Sequence, residues 1–139
     1  MSEINIQKGE NADYSQLMVV WESSVKATHY FLKPEDFEFY KKRIPDYFPN
    51  VDLYVIRSGK TINAFMGVLG DNLEMLFVSA ESRGKGYGKS LLRYALDNIN
   101  VKKVDVNEKN IQAIGFYERF GFKVIDRSEK VQWVRIIRF

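Results

Sequence analysis

Residues 73–98 read LEMLFVSAESRGKGYGKSLLRYALDN. Six residues of strand character run into a basic loop with glycine at positions 84, 86 and 88. The loop in turn runs into Leu91, Leu92, Ala95 and Leu96 at helical spacing. A further strand pattern, VKKVDV, follows at 101–106. This succession constrains the fold, because an intervening helix lets two strands lie parallel in a layered α/β domain. The rest of the chain fits the same class. INIQK at 4–8 reads as an opening strand, and a helix runs from Asn11, an N-cap type, to about Val25. KATHYFLK at 26–33 breaks that pattern, and a second helix begins at Pro34 and stops before Pro45. Strands at 52–57 and 61–69 form a hairpin around Ser58-Gly59-Lys60, and a turn at Gly70-Asp71-Asn72 leads into 73–78. Asn110 caps a helix ending at Gly121, and strands follow near 122–126 and 131–138. The predicted order is β-α-α-β-β-β-α-β-α-β-β in one domain of 139 residues.

The loop SRGKGYGKSL, residues 82–91, has the character of an anion cradle. Glycine lets backbone approach closely, and the start of the following helix points N–H groups and a positive dipole end at one place. Three phosphate patterns fail on a required glycine. The P-loop ends correctly at Gly88-Lys89-Ser90 but has Arg83 where its first glycine belongs, and the dinucleotide fingerprint has Lys89 at its third glycine. A kinase-type loop fails in the same way. Other chemistries are excluded by composition: with no Cys there is no disulfide or thiol nucleophile, and a single His, His29, argues against zinc. No apolar run reaches the about 18 to 20 residues that span a bilayer. The first fifteen residues, MSEINIQKGENADYS, are unlike a signal peptide, so a cytoplasmic location and no membrane partner are expected. A net charge of +3 suits an anionic ligand, while no RNP-like aromatic signature or dominant basic face supports nucleic acid.

A fourth pattern, [QR]-x-x-G-x-[GA], is met by Arg83, Gly86 and Gly88. A companion, N-x-x-A-x-x-F-Y-x-x-x-G-F, is met by Asn110, Ala113, Phe116, Tyr117, Gly121 and Phe122, about 25 residues after the loop. Together they make residues 76–122 resemble the GNAT superfamily of acyl-CoA-dependent N-acyltransferases. The resemblance implies a single-domain α/β fold with a mixed, mostly antiparallel central sheet and helices on both faces. It also implies acetyl-CoA as acyl donor and a small-molecule or peptide amine as acceptor.

Residue by residue, the resemblance assigns the pantetheine arm and acetyl group to main-chain groups of Leu76, Phe77 and Val78. The pyrophosphate falls to the loop Arg83, Gly84, Lys85, Gly86, Tyr87, Gly88, Lys89 and Ser90. For Lys89 a solvated helix position is the alternative to phosphate contact, and Asn110 either contacts the donor or caps its helix. Tyr117 is the candidate general acid to the departing thiolate, since a phenol near pKa 10 is protonated at neutral pH; the bland alternative is a half-buried aromatic. Glu74 and His29 are the candidate bases. Strand alternation makes Glu74 share a face with Leu76 and Val78, and a plain surface glutamate is the alternative. The stretch WESSVKATHYFL, residues 21–32, is similar to a local signature of an uncharacterised bacterial GNAT branch, which makes His29, Tyr30 and Phe31 candidate acceptor contacts. Trp21 reads as pocket wall or core. In that branch the final strands carry a longer connection rich in Gly and Pro. Here Arg127-Ser128-Glu129, followed only by Lys130, leads into VQWVRIIRF.

The competing reading from another class is a non-catalytic acyl-CoA-binding sensor or interaction module. The apolar terminal stretch Val131 to Phe139 leaves a homodimer open, since such a strand either pairs across chains or completes its own sheet.

Overall fold

The computed structural model describes residues 4–28, 32–127 and 133–138. Seven strands form one sheet: β1 (Ile6–Lys8), β2 (Asp52–Ser58), β3 (Thr61–Leu69), β4 (Asn72–Val78), β5 (Lys103–Asn107), β6 (Phe122–Arg127) and β7 (Trp133–Arg138). Their order is β1-β2-β3-β4-β5-β7-β6. Only β4–β5 is parallel, and α3 (Tyr87–Tyr94) provides that crossover. The remaining helices are α1 (Tyr14–Thr28), α2 (Pro34–Tyr47) and α4 (Ile111–Glu118), so the elements follow the predicted order. β7 lies between β5 and β6, pairing antiparallel with both. Both edges of the terminal strand are therefore used within the chain.

Two cores sandwich the sheet. On one face Leu17, Val20, Trp21 and Val25 of α1 recur at helical spacing and pack on Val55, Phe65 and Met75. On the other, Leu91, Leu92 and Ala95 pack with Met66, Val104, Val106, Phe122 and Ile136. This is the three-layer arrangement the sequence implies.

Three boundaries differ from expectation. Asn11 opens a short 3-10 turn (Asn11–Asp13), and the cap is made one residue earlier, by the Glu10 N–H donating to Asp13 Oδ2 at 2.9 Å. Helix α1 continues through Thr28, whose hydroxyl donates to the Ser24 carbonyl at 2.8 Å. Helix α2 does not stop before Pro45 but ends at Tyr47, with Pro45 in its last turn. A proline there removes one donor near a helix end that is already giving way to the 3-10 turn Phe48–Asn50, so the interruption is tolerated.

Candidate active site

The parallel contact between β4 and β5 is short. It consists of Asn72 opposite Lys103 and Leu73 opposite Val104, after which the strands diverge. Each keeps its other neighbour: β4 stays paired to β3 as far as Val78, and β5 to β7 as far as Asn107. The divergence opens a wedge in the middle of the sheet. Leu76, Phe77 and Val78 stand on its β4 side. Leu76 and Val78 face the core beneath α3 and α4, while Phe77 faces the α1 core, its ring 5.6 Å from Phe65.

Where the strands part, β4 carries a bulge. Gly67 faces Met75 and Val68 faces Leu73, which leaves Glu74 as the extra residue. Leu73 and Met75 lie in opposite cores although they are two positions apart. Alternation therefore fails at Glu74, and the face it was expected to share with Leu76 and Val78 does not follow from spacing. Glu74 is exposed beside the apex of the wedge.

The glycine-rich loop leaves the end of β4 through a 3-10 turn, Ala80–Ser82, and Arg83, Gly84, Lys85 and Gly86 are all exposed. Gly84 and Gly86 have φ of 81° and 82°, a left-handed conformation that glycine adopts without penalty, with open space where a Cβ would stand. Gly86 is the N-cap of α3, and the first helical bond outside the cap runs from Ser90 N–H to the Gly86 carbonyl at 2.9 Å. The amides of Gly86, Tyr87, Gly88 and Lys89 thus have no partner inside the helix. A Cβ on Gly88 would stand 3.6 Å from Val78 and 3.9 Å from Phe116, so the first turn of α3 lies over the end of β4 and against α4. Open amides, a helix start, and exposed Arg83, Lys85 and Lys89 together suit a diphosphate-bearing donor. Lys89 is exposed, which agrees with either of its two readings.

Asn110 caps α4, its Oδ1 accepting from Ala113 N–H at 3.2 Å. Tyr117 is 6% exposed, more buried than its bland alternative of a half-buried aromatic, with its ring 5.2 Å from Phe116 and 5.6 Å from Phe122. Burial pushes its phenol well above the usual tyrosine range. Among the described residues its hydroxyl makes no hydrogen bond, and no fully sealed side-chain polar atom lacks a partner.

Trp21 is core, 2% exposed and stacked on Phe37 at 5.3 Å. His29, Tyr30 and Phe31 lie outside the described residues, as does the 128–132 connection. Sequence reasoning missed the bulge at Glu74, and it missed a bond from Ala80 N–H to Ser23 Oγ at 2.9 Å that ties α1 to the loop. Neither has a residue-type signal, since both arise from register and packing.

Comparison with known proteins decides the family. A family model described as "Acetyltransferase (GNAT) domain" matches residues 11–139. The chain belongs to the GNAT acetyltransferase family. It is 35% identical over 127 residues to the peptidyl-lysine N-acetyltransferase YjaB of Salmonella typhimurium, covering 91% of this chain and 88% of that protein. The solution structure of apo-form YjaB from Escherichia coli superimposes with a TM-score of 0.87 at 30% identity, covering 98% and 97% of the two chains. A PaiA N-acetyltransferase from Thermoplasma acidophilum, solved in complex with coenzyme A, shares the fold with a TM-score of 0.76 at 21% identity, covering 99% and 100%. The chain is thus an acetyl-CoA-dependent acetyltransferase. Among the described residues no helix is long and apolar enough to cross a membrane.

Proposed function

We propose that this GNAT domain acetylates a primary amine by direct attack on the donor thioester, and that the amine is the ε-amino group of a lysine in a peptide or protein. The lysine assignment is supported by the YjaB relatives, which are named as peptidyl-lysine N-acetyltransferases. The observation that carries the chemistry is the wedge. It sets an opening beside β4 between a cluster of outward amides at the start of α3 and an exposed carboxylate at the bulge.

Acetyl-CoA supplies an activated acetyl group and a thiolate leaving group. The main chain of Leu76, Phe77 and Val78 orients the thioester, and the amides from Gly84 to Lys89 hold the pyrophosphate with Arg83 and Lys85 beside them. The lysine amine, near pKa 10.4 in water, costs about 4 to 5 kcal/mol to deprotonate at pH 7. Glu74 accepts that proton, directly or through water. As the amine nitrogen bonds to the carbonyl carbon and the C–S bond breaks, Tyr117 gives its O–H to the sulfur. Because burial makes that phenol a weaker acid than free tyrosine, it acts chiefly by hydrogen-bonding the thiolate, with proton transfer completed late.

The test is calorimetric titration with acetyl-CoA, dephospho-CoA and ATP, followed by mass spectrometry of lysine peptides incubated with donor. Saturable acetyl-CoA binding with ATP inert, and a mass gain on lysine, support the reading. Binding without transfer to any amine would instead favour the acyl-CoA sensor.

A further inference from the structure

We propose that Ser23 is a positioning residue for the donor loop, acting through its hydrogen bond to Ala80; the inference rests on the reading that residues 83–90 hold the acyl donor. The loop leaves β4 through a chain of short bonds. Ser79 N–H extends the β3–β4 ladder to the Asn63 carbonyl at 2.9 Å, and the hydroxyls of Ser79 and Ser82 bond each other at 2.9 Å. Ser82 N–H and Arg83 N–H close the 3-10 turn on the carbonyls of Ser79 and Ala80. The amide that opens this turn, Ala80 N–H, has no carbonyl to bond and donates to Ser23 Oγ of α1 at 2.9 Å. After Arg83, no amide from Gly84 to Lys89 donates to backbone outside the helix. Ala80 is therefore the last anchor to another element before the open amides begin, and Gly84 and Gly86 give the intervening backbone freedom to swing. A hydroxyl on α1 fixes where the cradle starts.

A second polar anchor on the same helix supplies an internal control. Gln16 grips the β2–β3 hairpin by two bonds, Nε2 to the Lys60 carbonyl at 3.0 Å and Ile62 N–H to Oε1 at 2.9 Å. It ties α1 to the start of β3, next to Asn63, and so reaches the loop only through the β3–β4 ladder, whereas Ser23 holds the loop's own turn.

The experiment measures acetyl-CoA affinity by calorimetry and thermal stability in the wild type and in Ser23→Ala, Ser23→Thr, Ser23→Val and Gln16→Ala. Loss of one anchoring hydrogen bond is expected to weaken acetyl-CoA binding about fivefold in Ser23→Ala. Ser23→Thr should stay near wild type. Ser23→Val, which matches threonine in shape without the hydroxyl, should follow alanine and provides the comparison if alanine folds poorly. Gln16→Ala should lower the melting temperature and cost less affinity than Ser23→Ala, because it acts on the loop only through β3. Equal affinity in threonine and valine variants, or an equal loss in Gln16→Ala, would overturn the positioning role. Failure of the wild type to bind acetyl-CoA would instead overturn the donor-site reading on which it rests.

Discussion

Tyr117 sits where two demands conflict. Its ring is a core side chain of α4, packed against Phe116 and Phe122, while the proposed chemistry asks its hydroxyl to reach the thiolate. Tyr117→Phe should keep that packing, hold acetyl-CoA affinity within about twofold, and lower kcat by about 100-fold, the usual range for a positioned proton donor. Equal turnover in both forms would remove the phenol from the mechanism. The same group predicts an alkaline effect on stability. Its folded pKa lies above the unfolded value near 10, so its contribution is whole below about pH 10 and is lost as pH climbs through the folded value. Urea midpoints measured from pH 9 to 11.5 should fall less steeply in Tyr117→Phe than in the wild type. Glu74 is tested by a pH contrast. Glu74→Gln should slow transfer about 30-fold at pH 7 and much less at pH 9, because more of the amine is already neutral there. A defect independent of pH would make Glu74 a surface residue with no part in proton removal.

Among the elements, the loop and α3 were the most legible in the sequence. Alternate glycines and three cations announced an anion site, and the glycines at 84 and 86 do take the left-handed conformation that only such a residue adopts cheaply. Gly86→Ala places a Cβ in open space, so the cost is backbone strain of about 1 to 2 kcal/mol. A loss of acetyl-CoA affinity of about tenfold with a modest drop in melting temperature is the expected result. Elsewhere legibility failed for physical reasons. The bulge at Glu74 depends on how β4 registers against β3, information shared between two strands and visible in neither. The cap at Asp13 belongs to a charged pair, its carboxylate 2.8 Å from Arg57, 44 positions further along the chain. That guanidinium holds the Asp13 carboxyl below its usual range. The persistence of α2 through Pro45 followed from its being near the helix end, where a missing donor costs little.

Across the whole molecule, the last strand enters the sheet's interior, which strand order along the chain does not reveal. β7 bonds β5 on one side and β6 on the other, so it closes the C-terminal half of the sheet. A chain ended at residue 127 would leave β6 without a ladder, leave β5 only its two-pair contact with β4, and strip Ile136, fully buried, from the core. It should lose its cooperative thermal transition, as followed by circular dichroism, whereas a chain in which β7 were an edge strand would tolerate the loss. The parallel contact at the apex of the wedge has a different consequence. The two halves of the sheet meet along a seam only two residue pairs long, so the molecule is less a plate than a pair of leaves on a short hinge. A molecule lodged between the leaves would bridge two halves that the ladder itself joins only at its apex.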